Sequence, residues 1–201
     1  MIHAQKNNLG FTLIESVVAI SVLVMALVGP MTLASRSIYV QRTAKNTLIA
    51  ASLAQEGLEL MRWYRDNNVL QALAQNTFPP ENNWLQGFLN CKSLSGCGID
   101  EHMLRRDIDT VTPGFQVPAL PDCSTSANCA LLFNDSKKQY ELCGASCTPT
   151  PFTRKIQITK ELKNNAAGLL TFDEIEVTVT VEWSDGTQSN PVIVKERLYA
   201  W

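Results

Sequence analysis

One carboxylate and six cysteines carry most of the chemistry open to this sequence. Glu15 stands at the mouth of an uncharged run, Ser16 to Ser35, that reads SVVAISVLVMALVGPMTLAS. A carboxylate on a lipid-facing helix costs on the order of 2.5–3.5 kcal/mol at the bilayer centre and less near its edge. Such a group is retained mostly where it has a cationic partner. The nearest upstream cation is Lys6, nine residues back. Hydrolysis of the bond between Gly10 and Phe11 would create a closer one. The new α-amine of Phe11 would lie four residues before Glu15, about 6 Å away along a helix. It could compensate the carboxylate within one chain or between two.

The six cysteines fall in three close pairs, Cys91/Cys97, Cys123/Cys129 and Cys143/Cys147. An even number in a chain exported past a membrane reads as disulfides. Nearest-neighbour pairing would close three small loops and is one of fifteen connectivities. Zinc ligands prefer two to four intervening residues; the intervals here are five, five and three, so only Cys143/Cys147 fits. A catalytic thiol lacks a base, because His102 is the only histidine after the apolar run. Asp107 and Asp109 are two carboxylates and not a calcium loop. The chain has no glycine-rich phosphate loop, no G-x-S-x-G and no H-E-x-x-H. Neither an enzyme, nor a resident metal, nor a cofactor is implied.

Composition narrows the class further. In 201 residues, 17 basic side chains face 19 acidic ones, for a net charge of −2. This excludes a strongly basic nucleic-acid binder. The pairs Lys137-Lys138 and Arg154-Lys155 are ordinary surface content, so a nucleic-acid partner is unsupported. Hydrophobic residues at 45% exclude a disordered chain.

These groups need elements to position them. Twenty uncharged residues of helix cover about 30 Å, the thickness of a bilayer core. A plain anchor, a signal peptide cut near Ala34 and a buried core helix are the ordinary alternatives. Pro30 after Gly29 removes a backbone donor, so a kink or local melting is expected there. From Arg36 to Asn67 helix formers dominate. Ala44, Leu48, Ala51, Ala54, Leu58 and Met61 form one apolar stripe, and Ile49, Leu53, Gly57, Leu60 and Tyr64 a second. Two stripes predict two partners, and Asp66-Asn67-Asn68 marks the helix end. The chain then turns irregular until the period switches to two. Ile175, Val177, Val179, Val181 and Trp183 alternate with polar residues and predict a half-buried strand. Ser184-Asp185-Gly186 supplies a turn, and Pro191 to Tyr199 the return strand. Residues 154–162 alternate too, and 131–133 with 139–142 predict a hairpin.

Gly10-Phe11-Thr12-Leu13-Ile14-Glu15 followed by an uncharged helix resembles the processing site of type IV prepilins and pseudopilins. The resemblance implies cleavage between Gly10 and Phe11 by a prepilin peptidase, with N-methylation of Phe11. It implies an assembly role for Glu15 and a loosened helix at Gly29-Pro30. Its partners would be other pilin subunits, an assembly platform and ATPase, and membrane lipid before assembly. The implied location is the inner membrane, with the soluble domain outside the cytoplasm, then the pilus surface. The expected fold class is α+β, a long N-terminal helix packed on an antiparallel sheet. Its expected segments are a leader (1–10), a membrane and filament-core helix (11–35), an amphipathic helix (36–67), an irregular cysteine-bearing region (68–150) and a sheet (151–201). The expected function is a minor subunit of a type IV pilus-like filament. A secretion or competence pseudopilin and an anchored adhesion module without a filament stay open. Charge counting opposes the implied orientation: Lys6 and the terminal amine precede the run, whereas Arg36, Arg42 and Lys45 follow it.

Overall fold

The computed structural model describes residues 10, 12–74, 84–101, 119–142, 147–164, 171–184 and 189–199. The chain divides into two compact units, residues 1–45 and 46–201. One helix, α1 (Leu13–Ala74), contributes to both.

In the first unit α1 begins one residue after Thr12. The Glu15 and Ser16 amides donate to the Thr12 carbonyl at 3.1 and 3.2 Å, and the Glu15 amide also meets Thr12 Oγ1 at 3.4 Å. Thr12-x-x-Glu15 has the spacing of a capping box, in which the first hydroxyl satisfies an orphan amide of the opening turn. The few polar residues of the apolar stretch bond back to their own helix. The hydroxyls of Ser21, Thr32 and Ser35 donate to the carbonyls of Val17, Gly29 and Met31 at 2.8, 2.8 and 3.0 Å. That is how a helix in an apolar medium satisfies such groups. Residues 13–74 are helical throughout, Gly29 and Pro30 included.

The second unit is a helix on a sheet. The strands are β1 (Ala130–Asn134), β2 (Gln139–Glu141), β3 (Thr148–Asn164), β4 (Thr171–Ser184) and β5 (Ser189–Tyr199). They form one sheet in the order β2-β1-β3-β4-β5, antiparallel at every pairing. The fold class is therefore α+β. The alternation in β4 delivers Ile175, Val177, Val179, Val181 and Trp183 to one buried face, where they share a core with Ala50, Leu53, Ala54, Leu58, Met61 and Tyr64 of α1. β3 begins earlier than its alternation suggests, at Thr148, with Pro149 and Pro151 inside it. Both prolines lie before Phe152, the first β3 residue paired with β4. There β3 has a neighbour on one side only, at an irregular register with β1, so the missing donors cost little.

Two expectations are corrected, the helix end at Asn67 and the separateness of the cysteine region, and a third is refined. Within this unit the two stripes of α1 meet one partner, the sheet, and the expectation of a second partner in neighbouring subunits stands apart from it. Its buried seam takes Ala54, Leu58 and Met61 from one stripe and Leu53, Gly57 and Tyr64 from the other, while Leu48 is exposed. A 3.6-residue period carries both stripes round to adjacent positions on one face. The helix also runs past Asn67 to Ala74. Asn68 does not terminate it, because its amide is spent on tertiary contacts, donating to the Trp84 and Gln86 carbonyls at 2.9 Å each. Finally, the cysteine region is not separate from the sheet. Trp84, Phe88, Cys91, Cys97, Ile99 and Leu131 are fully buried, and Cys97 exchanges backbone hydrogen bonds with Ile156 of β3 at 2.8 and 2.9 Å.

Two disulfides fix this region, Cys91–Cys97 and Cys123–Cys129. Cys147 is also disulfide-bonded; Cys143 lies outside the described residues, as do His102, Asp107, Asp109, Asp185 and Gly186. The half-cystines Cys97 and Cys129 occupy the β3 edge beyond the end of β1, and the Arg154 amide donates to the Cys129 carbonyl at 2.9 Å. Gly96 makes the close approach possible. It has φ +72°, and a Cβ there would stand 2.6 Å from the Ile156 carbonyl oxygen. Replacing Cys91 and Cys97 by serine opens a loop whose closure contributes about 2 kcal/mol. Hydrogen exchange is expected to accelerate first at the Cys97 and Ile156 amides, with the β3–β4 ladder still protected. Equal acceleration across the sheet would contradict this edge-pinning account.

The β1–β2 hairpin buries the Glu141 carboxylate. Burial alone pushes its pKa up, but Asn134, the Lys137 ammonium at 2.9 Å and Gln139 outweigh this, and the net direction is down. A carboxyl held below its unfolded value contributes stability that is present above the unfolded pKa and lost as pH falls through the folded one. Hairpin protection is thus expected to be level from neutral pH to the ordinary carboxylate range and to fall below it. Glu141→Gln should flatten that acid limb; an unchanged limb would contradict the assignment.

Candidate assembly surface

The first unit presents an apolar helix with no protein cover. Leu13 is 84% exposed and Met25 77%, and large hydrophobics are exposed from Leu13 through Val40. The window of mean hydropathy 2.4 is long and apolar enough to cross a membrane, and none of it is buried. Exposed apolar surface on this scale marks contact with lipid or with other protein. Around the whole circumference the only ionisable residue between Thr12 and Ser35 is Glu15, itself exposed in the capped first turn.

The expected processing and assembly residues are placed as follows. Gly10 is exposed, and a Cβ there would meet nothing within 4 Å. Gly29 is likewise unobstructed. Among the described residues, no contact requires glycine at either position. Phe11, whose amine is expected to meet Glu15, lies outside the described residues, as does the leader before Gly10.

The second unit holds a cleft of about 560 Å³ lined by Glu56, Glu59, Leu60, Arg62, Trp63, Asp66 and Glu101. Its charges are largely paired. Arg62 bridges Glu59 and Glu196, which holds its pKa above the ordinary value, chiefly through the Glu196 hydrogen bond. Glu56 meets Arg154 at 3.1 Å. The cleft offers no nucleophile beside a base. Among the described residues no group of three or more His, Cys, Asp or Glu side chains is placed to hold a metal ion.

Arg154 was expected as surface content, and this is a correction. Its side chain is 1% exposed. Nη1 donates to the Leu53 carbonyl at 3.2 Å and to Glu56, and Nη2 donates to the Ile99 carbonyl at 2.6 Å. It therefore cannot serve nucleic acid. Lys137 and Lys138 are paired with Glu141 and Asp135. The strand alternation held the signal for Arg154, because the even positions Phe152, Arg154, Ile156 and Ile158 share one face. Gly57 leaves room for it: a Cβ there would approach Val179 Cγ1 at 3.0 Å and Arg154 Cδ at 3.2 Å. Compared with family models, with curated proteins and with solved structures, the chain matches none. The structure is compatible with a pilin-like fold, a long N-terminal apolar helix with an antiparallel sheet.

Proposed function

We propose that this chain is a minor subunit of a type IV pilus-like filament. A prepilin peptidase cleaves it between Gly10 and Phe11 and methylates Phe11. Until assembly the helix after Glu15 stays in the inner membrane, with the soluble unit outside the cytoplasm. An assembly platform and ATPase then transfer it into a bundle of neighbouring pilin helices, where Glu15 pairs with the α-amine of an adjacent Phe11. The single observation that carries this reading is the apolar helix exposed on every side, with one carboxylate in its capped first turn. Lipid covers such a helix first, and other helices of the same kind cover it later without exposing apolar surface to water.

The test is to shear surface filaments from cells that express the chain and identify their subunits. The chain is expected in the filament fraction together with other pilin subunits. Retention in the membrane alone, with filaments present but free of it, would contradict the proposal.

A further inference from the structure

The residues just beyond the apolar span have no role in the reading above. Arg36, Arg42 and Lys45 are all exposed on α1, and Tyr39 between them is 58% exposed. No Asp or Glu occurs between Glu15 and Glu56, so this stretch of helix is purely cationic. Water solvates such exposed cations in solution, and the position of this run indicates what else it meets when the helix is in a membrane. Arg36 follows the last residue of the uncharged run directly. Arg36 is 21 residues after Glu15, about 31 Å along a helix and close to the ~30 Å of a hydrocarbon core. Both charges can therefore stand at headgroup level together, on opposite sides. A tyrosine at that level is typical of a membrane–water boundary, and long basic side chains extend toward the same layer.

We propose that Arg36, Arg42 and Lys45 form a collar that binds anionic phospholipid headgroups while the helix is in the membrane. The inference rests on the membrane stage of the proposed function and not on its filament stage. It also accounts for a basic cluster on the side that charge counting disfavours, because the collar is matched to lipid phosphate at that surface. Each Lys or Arg near an anionic bilayer surface is held there about fivefold more favourably, and the effect weakens with salt.

The experiment reconstitutes the full chain in phosphatidylcholine vesicles containing a minor fraction of phosphatidylglycerol. Electron spin resonance then compares the motionally restricted fraction of spin-labelled phosphatidylglycerol with that of spin-labelled phosphatidylcholine. The unaltered chain is expected to restrict phosphatidylglycerol at least about twofold more than phosphatidylcholine at low salt, with the preference falling as salt is added. The triple variant Arg36→Gln/Arg42→Gln/Lys45→Gln should show a ratio near one, whereas Arg36→Lys/Arg42→Lys should keep the preference. Lys92→Gln/Lys155→Gln, on the soluble unit, should also keep it. No preference in the unaltered chain, or a preference that survives the triple variant, would overturn the collar. A chain that restricts neither lipid is not in the bilayer, and that result overturns the membrane anchor itself and the collar with it.

Discussion

Glu15→Ala is expected to lower incorporation into filaments at least tenfold while leaving membrane insertion and the soluble unit intact. An unpaired ammonium left in a dry helix bundle costs several kcal/mol, typically 3–5 when one partner of a buried pair is removed. Each 1.4 kcal/mol is a factor of ten. The structure supplies a rival role for the same carboxylate. Thr12 and Glu15 stand at capping-box spacing, and the Glu15 amide already meets Thr12 Oγ1. Loss of a cap costs about 1 kcal/mol. Glutamine separates the two roles, since it suits the third position of a capping box but carries no charge for the Phe11 amine. Glu15→Gln is therefore expected to fail in assembly nearly as badly as alanine. Recovery of normal filament content with glutamine would assign Glu15 to the cap and contradict the pairing.

Arg154→Ala is expected to destabilise the soluble unit by about 3–5 kcal/mol, the sum of a lost core packing volume and a buried carbonyl left without its donor. The guanidinium ties β3 to two segments distant in sequence: α1, through the Leu53 carbonyl and Glu56 one turn further on, and the disulfide-bonded segment, through the Ile99 carbonyl. Truncation leaves the Ile99 carbonyl without that donor and opens a cavity beside Gly57 and Val179. Arg154→Met should cost less, because it keeps the packing volume and Glu56, about half exposed, can return to water. Arg154→Lys should fall short of methionine's packing and of arginine's fork, a point charge in place of planar donors. Thermal unfolding of the purified chain followed by tryptophan fluorescence checks the series. At about 2–4 °C per kcal/mol for a unit of this size, the alanine variant should melt at least 6 °C lower. A shift under about 2 °C would show that the hub is peripheral to stability.

What was legible in the sequence follows from how local each signal is. The period-two run from Ile175 to Trp183 predicts β4, its buried face and its antiparallel neighbour, because alternation and turn chemistry are short-range properties. The uncharged run after Glu15 predicts a helix of bilayer length for the same reason. Long-range facts were not legible. Nothing near Asn68 announces that its amide reaches Trp84 and Gln86, so a residue that usually ends helices reads as an end. Nothing near Cys97 announces its bridge to Ile156, so a stretch without periodicity reads as separate from the sheet. Arg154 falls between these cases. Alternation puts it on the inner face, but a basic pair with Lys155 reads as surface until Gly57 is seen to vacate the space that it fills. Of the candidate site, Glu15 and Gly10 are identified by motif spacing alone. What the fold adds is the capped turn around Glu15.

The central claim is that this helix enters a filament as a trimmed chain whose new amine answers Glu15. Mass spectrometry of the N-terminal peptide from chain purified out of its native cells tests that claim most directly. A peptide beginning at a methylated Phe11 is the predicted result. A peptide that still contains Gly10 and the residues before it, in cells where other pilin subunits are processed, would contradict the account.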